Sequence, residues 1–160
     1  MSIFPENLRE IDLKNHQNEL PVQKGIYFWF DKNSMECVYI GIACSKTGLK
    51  GRISRQHLNP KYLESREHKH ATHDHFQLKH AIIRLSSNGL MKKCIDKSTF
   101  RKSIGRSLEL KPGDETCSYI LANLNLKVHE SSNVDYLKSL EKELIKKLQP
   151  RFNTSLKSIK

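Results

Sequence analysis

The 160-residue chain carries 28 Lys and Arg against 17 Asp and Glu, for a formal net charge of +11, and 37% of its residues are hydrophobic. That apolar share with interspersed charge excludes a disordered tract, and the length suits one compact domain over 1–160 with no room for a second of normal size. No apolar stretch approaches the roughly 18–20 residues that span a bilayer, so the cationic excess points to a nucleic acid rather than a membrane, through release of condensed counterions.

The opening segment, MSIFPENLREIDL, lacks the basic and apolar regions of a signal peptide, and a cytoplasmic protein is expected. Residues 5–24 are polar and partly helical, ending at Pro21. Gly25–Phe30 (GIYFWF) has the aromatic and β-branched character of a strand. Asp31-Lys32-Asn33-Ser34 is turn chemistry, and Glu36–Gly41 (ECVYIG) returns as a second strand. In this hairpin Tyr27 and Trp29 share one face, and Ile26, Phe28 and Phe30 share the other. Tyr39 leaves the aliphatic row of Val38 and Ile40, so the two tyrosines are placed to meet. Trp29 is expected to pack in the core.

Ser45 to about Leu58 reads as a basic helix after a Gly48 interruption and offers Lys50 and Arg55 to a polyanion. Pro60–Asp96 is polar and histidine-rich, an insertion over about 60–97 with a helix expected at Phe76–Leu85. His68, His70, His73 and His75 form two His-x-His pairs whose spacing suits zinc or nickel; a solvated loop is the blander reading. Ser98–Leu108 begins with a Ser/Thr cap and continues with amphipathic basic spacing, which exposes Arg101, Lys102 and Arg106 either to solvent or to phosphates. Pro112-Gly113-Asp114 breaks it, Thr116–Asn123 forms a short helix, and Leu124–Val128 alternates as a third strand. Cys37, Cys44, Cys94 and Cys117 form no Cys-x-x-Cys pair and are expected as reduced thiols.

The last element, Val134–Leu148, is a helix stopped by Pro150. Leu137, Leu140, Leu144, Ile145 and Leu148 make one apolar stripe, and Glu141 falls inside it. A carboxylate among leucines needs compensation, either from a basic side chain or from a hard cation such as Mg²⁺. Arg151, with Lys157 and Lys160, carries basic character into the tail.

Gly25-Ile26-Tyr27 followed by Tyr39-Ile40-Gly41 resembles the paired half-motifs of the GIY-YIG nucleases. Gly48–Ile53 (GLKGRI) is similar to that family's arginine helix, and Leu140–Asn153 (LEKELIKKLQPRFN) to its closing motif. The resemblance implies an α/β fold of the α+β type, a small three-stranded antiparallel sheet flanked by helices. It implies phosphodiester hydrolysis in DNA with Mg²⁺ or Mn²⁺, RNA not being distinguished by charge. Tyr27 and Tyr39 would flank the attacking water, one of them as general base, with Tyr39 preferred. Arg52 would stabilise phosphate charge, Glu141 would hold the metal, and Asn153 would support the site. Relatives often place a histidine a helical turn after the arginine, a position held here by Gln56. His57, about 140° around a regular helix from Arg52, takes that role only where the helix ends or distorts. The restriction-like reading fits a chain without a visible DNA-binding module and leaves a homodimer open. A catalytically silent nucleic-acid-binding module and a zinc-binding interaction protein are the other readings.

Overall fold

The computed structural model describes residues 3–67, 82–85 and 91–153. In chain order the elements are β1 (Arg9–Ile11), a 3₁₀ turn (Leu13–Asn15), α1 (His16–Glu19), β2 (Gly25–Asp31) and β3 (Cys37–Ala43). Next come α2 (Gly48–Arg52), a π turn (Ile53–His57), β4 (Leu63–Glu67), β5 (Ile82–Leu85) and β6 (Met91–Asp96). The chain closes with α3 (Thr99–Leu108), α4 (Asp114–Asn123), β7 (Leu124–Glu130) and α5 (Val134–Leu148). Two compact units result, one of Met1–Arg55 with Leu121–Lys160, the other of Gln56–Ile120.

The first unit is built on an antiparallel sheet in the order β1-β7-β2-β3. The expected three-stranded sheet is therefore four-stranded, because Arg9–Ile11 pairs with β7 from Arg9↔Val128 to Ile11↔Leu126. A strand of three residues shows too little alternation to be read from sequence. The β2–β3 turn is held by Asp31, whose carboxylate accepts from the Asn33 and Ser34 amides at 2.8 and 3.0 Å.

Ile26, Phe28 and Phe30 of β2 join Ile40 of β3 on the face that α5 covers with Leu137 and Leu144. Leu140, Ile145 and Leu148 pack around this core as the stripe requires. Asn133 caps the start of α5 by accepting from Tyr136 N at 3.0 Å, and Gln149 ends it in the left-handed conformation. Trp29, Leu124, Leu126 and Val128 are buried with the opposite face.

The second unit contains an antiparallel sheet ordered β4-β6-β5. The helix expected over Phe76–Leu85 is corrected here: Ile82–Leu85 is a strand, with Ile82↔Cys94 and Leu85↔Met91 in register. Its Ile-Ile pair is β-branched, and strand pairing overrides the helix-like spacing. The rest of that segment, with His68, His70, His73 and His75, lies outside the described residues.

This unit is organised around a buried ion pair. Asp96 meets Arg101, an inward-facing residue in the first turn of α3, and both side chains are fully buried. The same carboxylate accepts from Gly113 N at 2.9 Å and Thr116 Oγ1 at 2.8 Å. Arg101 Nη1 and Nη2 donate to the carbonyls of Gln56, Asn59 and Tyr62 at 2.6, 2.6 and 3.0 Å. Removing the carboxylate leaves a guanidinium without its counter-charge in a dry interior. Asp96→Ala is therefore expected to lower the unfolding free energy by about 3–5 kcal/mol in denaturant titrations. A loss below about 1 kcal/mol would show that the guanidinium is solvated instead.

Candidate active site

The β2–β3 register pairs Tyr27 with Gly41 and Trp29 with Tyr39, which sets the two tyrosines diagonally on one face. Their rings stack with centroids 6.4 Å apart. Opposite Tyr27 only glycine fits, since a Cβ at Gly41 would run into the Tyr27 hydroxyl. The phenol of Tyr27 thus lies across β3, 2% exposed, while Tyr39 is half-buried.

Arg52 is brought to the same neighbourhood by α2. Gly48, at φ 61°, lets the chain turn against the backbone of Gln23, and Leu49 N and Lys50 N then donate to Gln23 O and Pro21 O at 2.8 and 3.0 Å. The first helical amides are satisfied by the segment that leads into β2, so the arginine helix is tied to the tyrosine strand.

Glu141 is contributed by α5. Burial pushes its carboxyl above the ordinary range, and the nearby Arg52 guanidinium only partly opposes that shift. Tyr39 is pushed up to about 12, first by burial and then by the Glu141 charge, with Arg52 pulling the other way. Tyr27 is raised well above an ordinary phenol by burial and by Tyr39, while Arg52 lowers and Glu141 raises it. These mutual effects bring Tyr27, Tyr39, Arg52 and Glu141 into one electrostatic neighbourhood. Both phenols are protonated at neutral pH.

Asn153 completes the arrangement by hydrogen bonding. Its Nδ2 donates to Ile40 O and its Oδ1 accepts from Ile40 N, both at 2.9 Å. Phe152 N donates to Val38 O at 2.9 Å. The tail after α5 thus fills the open edge of β3 on both sides of Tyr39, as a partner strand would.

His57 belongs to the second unit, at the end of the π turn. The helix does distort where its five-residue offset from Arg52 requires, since a π turn closes i→i+5. The ring is 3% exposed, with Nδ1 2.8 Å from Ser98 Oγ and its edge against Phe100. Nothing in the sequence marks Ser98 beyond its capping position.

The basic candidates divide. Arg55 and Arg151 are exposed, and Lys50 is half-buried. Arg151 lies 3.7 Å from Asp31 and over the Phe152 ring. Lys102 pairs with Glu64 at 2.9 Å, and Arg106 Nε donates to Lys102 O at 3.4 Å. Arg101 is not a phosphate contact. It is 0% exposed, and Asp96 and backbone carbonyls engage its guanidinium, which corrects the expectation drawn from the basic run. The four cysteines are free thiols, Cys94 and Cys117 buried, as expected for small core residues. Among the described residues no cluster of three or more His, Cys, Asp or Glu is placed to hold a metal, and no helix is long and apolar enough to cross a membrane.

A family model described as the GIY-YIG catalytic domain matches residues 9–158. No curated protein and no solved structure matches the chain. The model spans nearly the whole sequence and takes in the tyrosine hairpin, the arginine helix and the closing glutamate helix: the chain belongs to the GIY-YIG catalytic-domain family, a family of nucleases acting on nucleic acid.

Proposed function

We propose that this chain is a metal-dependent endonuclease that hydrolyses phosphodiester bonds in DNA. The observation that carries the reading is the gathering of Tyr27, Tyr39, Arg52 and Glu141 into one neighbourhood, with the partly buried Glu141 carboxyl set among the apolar residues of α5. A carboxylate kept for a structural ion pair is held below its ordinary value by its partner; here burial outweighs Arg52. The compensation still lacking is what a divalent cation supplies.

The donor set suits such an ion. A single carboxylate is enough for Mg²⁺ or Mn²⁺, which retain several waters and share the oxygens of a substrate phosphate. Glu141 would hold it. When bound, the ion polarises the phosphate, eases departure of the 3′ oxygen and cancels part of the field that keeps both phenols protonated.

The protein's own groups do the rest. Tyr39, less buried than Tyr27, is the general base: its phenol first gives its own proton to solvent, and the phenolate then takes a proton from the attacking water, with Tyr27 the alternative base beside it. Arg52 donates parallel N–H bonds to the phosphate as negative charge gathers there. Asn153 holds β3, and with it Tyr39, against displacement. Lys50, Arg55, Lys102, Arg106 and Arg151 contact the remaining backbone phosphates and make binding salt-dependent.

Cleavage of plasmid and oligonucleotide DNA, with RNA in parallel, tests this directly. The wild type is expected to cut DNA only with Mg²⁺ or Mn²⁺, and Glu141→Ala and Arg52→Ala to lose at least about 100-fold in rate while remaining folded. Intact DNA binding with no cutting under any of these conditions would mark a silent binding module instead.

Glu141 also makes a prediction that needs no substrate. Its folded-state carboxyl titrates above its unfolded value, so stability from this group is full below the ordinary carboxylate range and is lost as pH rises through the raised value. Glu141→Gln is expected to raise the metal-free Tm by about 1–3 °C near about pH 7.5, the gain disappearing near about pH 4. Mn²⁺ should raise the Tm of the wild type and leave the variant unmoved. A variant less stable than wild type at neutral pH would mean that Glu141 is a well-paired structural carboxylate.

A further inference from the structure

The outer face of α5 carries a row of charge that packing does not use. Lys138, Lys142 and Lys146 recur at every fourth position, and all three are exposed. Four residues advance a helix by about 6 Å, so the row is about 12 Å long. Among the described residues none of the three makes an ion pair. Lys142 has Lys138, Ser139, Ile145 and Lys146 as its neighbours three and four residues away, and so stands between two like charges. Like charges at that spacing oppose the helix that carries them. The nearby acids do not relieve the row. Glu143 is bonded to Lys147 at 3.1 Å, Asp135 lies back in the first turn, and Glu141 shares its field with Tyr27, Tyr39 and Arg52. The arrangement weakens the free protein, and a bound polyanion reverses that.

The row also has a fixed relation to Glu141. At about 100° per residue, Lys138, Lys142 and Lys146 project about 60°, 100° and 140° around α5 from Glu141, all in the same sense. Leu137 and Leu144, buried against the sheet, lie on its other side. Glu141 therefore marks the seam between the packed stripe and the lysine row, and an anion seated on the row borders the carboxylate. The stripe itself is packed on Ile26, Phe28, Phe30 and Ile40, which leaves the row without the apolar face that holds a helix at a membrane surface. We propose that Lys138, Lys142 and Lys146 form a track for the phosphate backbone of duplex DNA beside Glu141. The assignment rests on the reading of the chain as a DNA nuclease and adds to it the face of α5 that the substrate backbone follows. The three ammonium groups supply affinity and register rather than chemistry, each neutralising a phosphate and releasing counterions.

The experiment is duplex binding by the full chain without added metal, followed from about 50 to about 200 mM salt. Glutamine keeps the helix propensity of lysine and removes its charge. Lys138→Gln, Lys142→Gln and Lys146→Gln are each expected to flatten the plot of log K against log salt by about 0.9, and the triple variant by about 2.7. Lys147→Gln, on the side already paired with Glu143, should leave the slope in place. In low salt without DNA, Lys142→Gln should raise the Tm by about 1–2 °C as two like-charge pairs vanish. An unchanged slope in the triple variant, an equal loss in Lys147→Gln, or a lower Tm in Lys142→Gln would overturn the track. So would wild-type binding to phosphatidylserine vesicles that the triple variant loses while its DNA slope stays. A wild type that binds DNA and cuts none would sink the nuclease reading alone, with the track still judged by the slope. A wild type that cuts, beside a triple variant of unchanged slope, would sink the track alone, and one that binds no DNA would sink both.

Discussion

The register of β2 against β3 is the constraint on which the first unit depends. Phe28 opposite Ile40 and Tyr27 opposite Gly41 put the apolar row under α5 and both phenols on the other face. A slip of one residue would exchange the two faces, so it would expose the core and remove the site in one step. The register is pinned at the β2–β3 turn and at the middle of β3. Asp31 shapes the turn through the Asn33 and Ser34 amides, and Asn153 grips Ile40 by both its amide and its carbonyl. Because α5 docks on the row so formed, the position of Glu141 is a consequence of the same pairing.

Glu141 shows what a site costs its fold. The stripe that gives α5 its packing energy is interrupted at the position where the carboxylate sits, and desolvation there exceeds the help from Arg52. Burial holds Tyr39 and Tyr27 in their neutral forms, and the Glu141 charge adds to it. A substitution at Glu141 therefore removes one titration and alters two others, those of Tyr27 and Tyr39. Surface carboxylates such as Glu143, paired with Lys147 at 3.1 Å on an exposed face, carry no such tension.

Much of this was legible from residue order. The hairpin, the terminal helix with its stripe and the odd carboxylate within it follow from periods of two and 3.6 residues, which local backbone geometry imposes. The meeting of Tyr27 and Tyr39 followed as well, because side-chain alternation needs no tertiary knowledge. Arg9–Ile11 and Ile82–Leu85 were not legible as strands. Each is short, and each owes its conformation to a partner far away in sequence, β7 in one case and β6 in the other. Asn153 was assigned a supporting role by resemblance, but its two-sided grip on an edge strand depends on the turn after α5, where Asn153 N donates to Pro150 O at 3.0 Å.

Arg52 and Arg101 make the limit of sequence reading concrete. Both lie in basic stretches with helical spacing, and charge counting treats them alike. A guanidinium has five N–H donors, and its availability to a phosphate depends on how many the protein already uses. Arg101 directs Nε and Nη2 to Asp96, Nη2 also to Tyr62 O, and Nη1 to the carbonyls of Gln56, His57 and Asn59. That set of acceptors saturates the fork and fixes the backbone leading from His57 to Tyr62. Arg52 instead acts on groups that are themselves titratable, two phenols and a carboxyl that burial drives toward neutrality. An arginine held by carbonyls and a buried carboxylate builds structure, whereas Arg52 sits among groups whose titration it shifts. Burial and surroundings, rather than position in a basic run, separate Arg101 from Arg52.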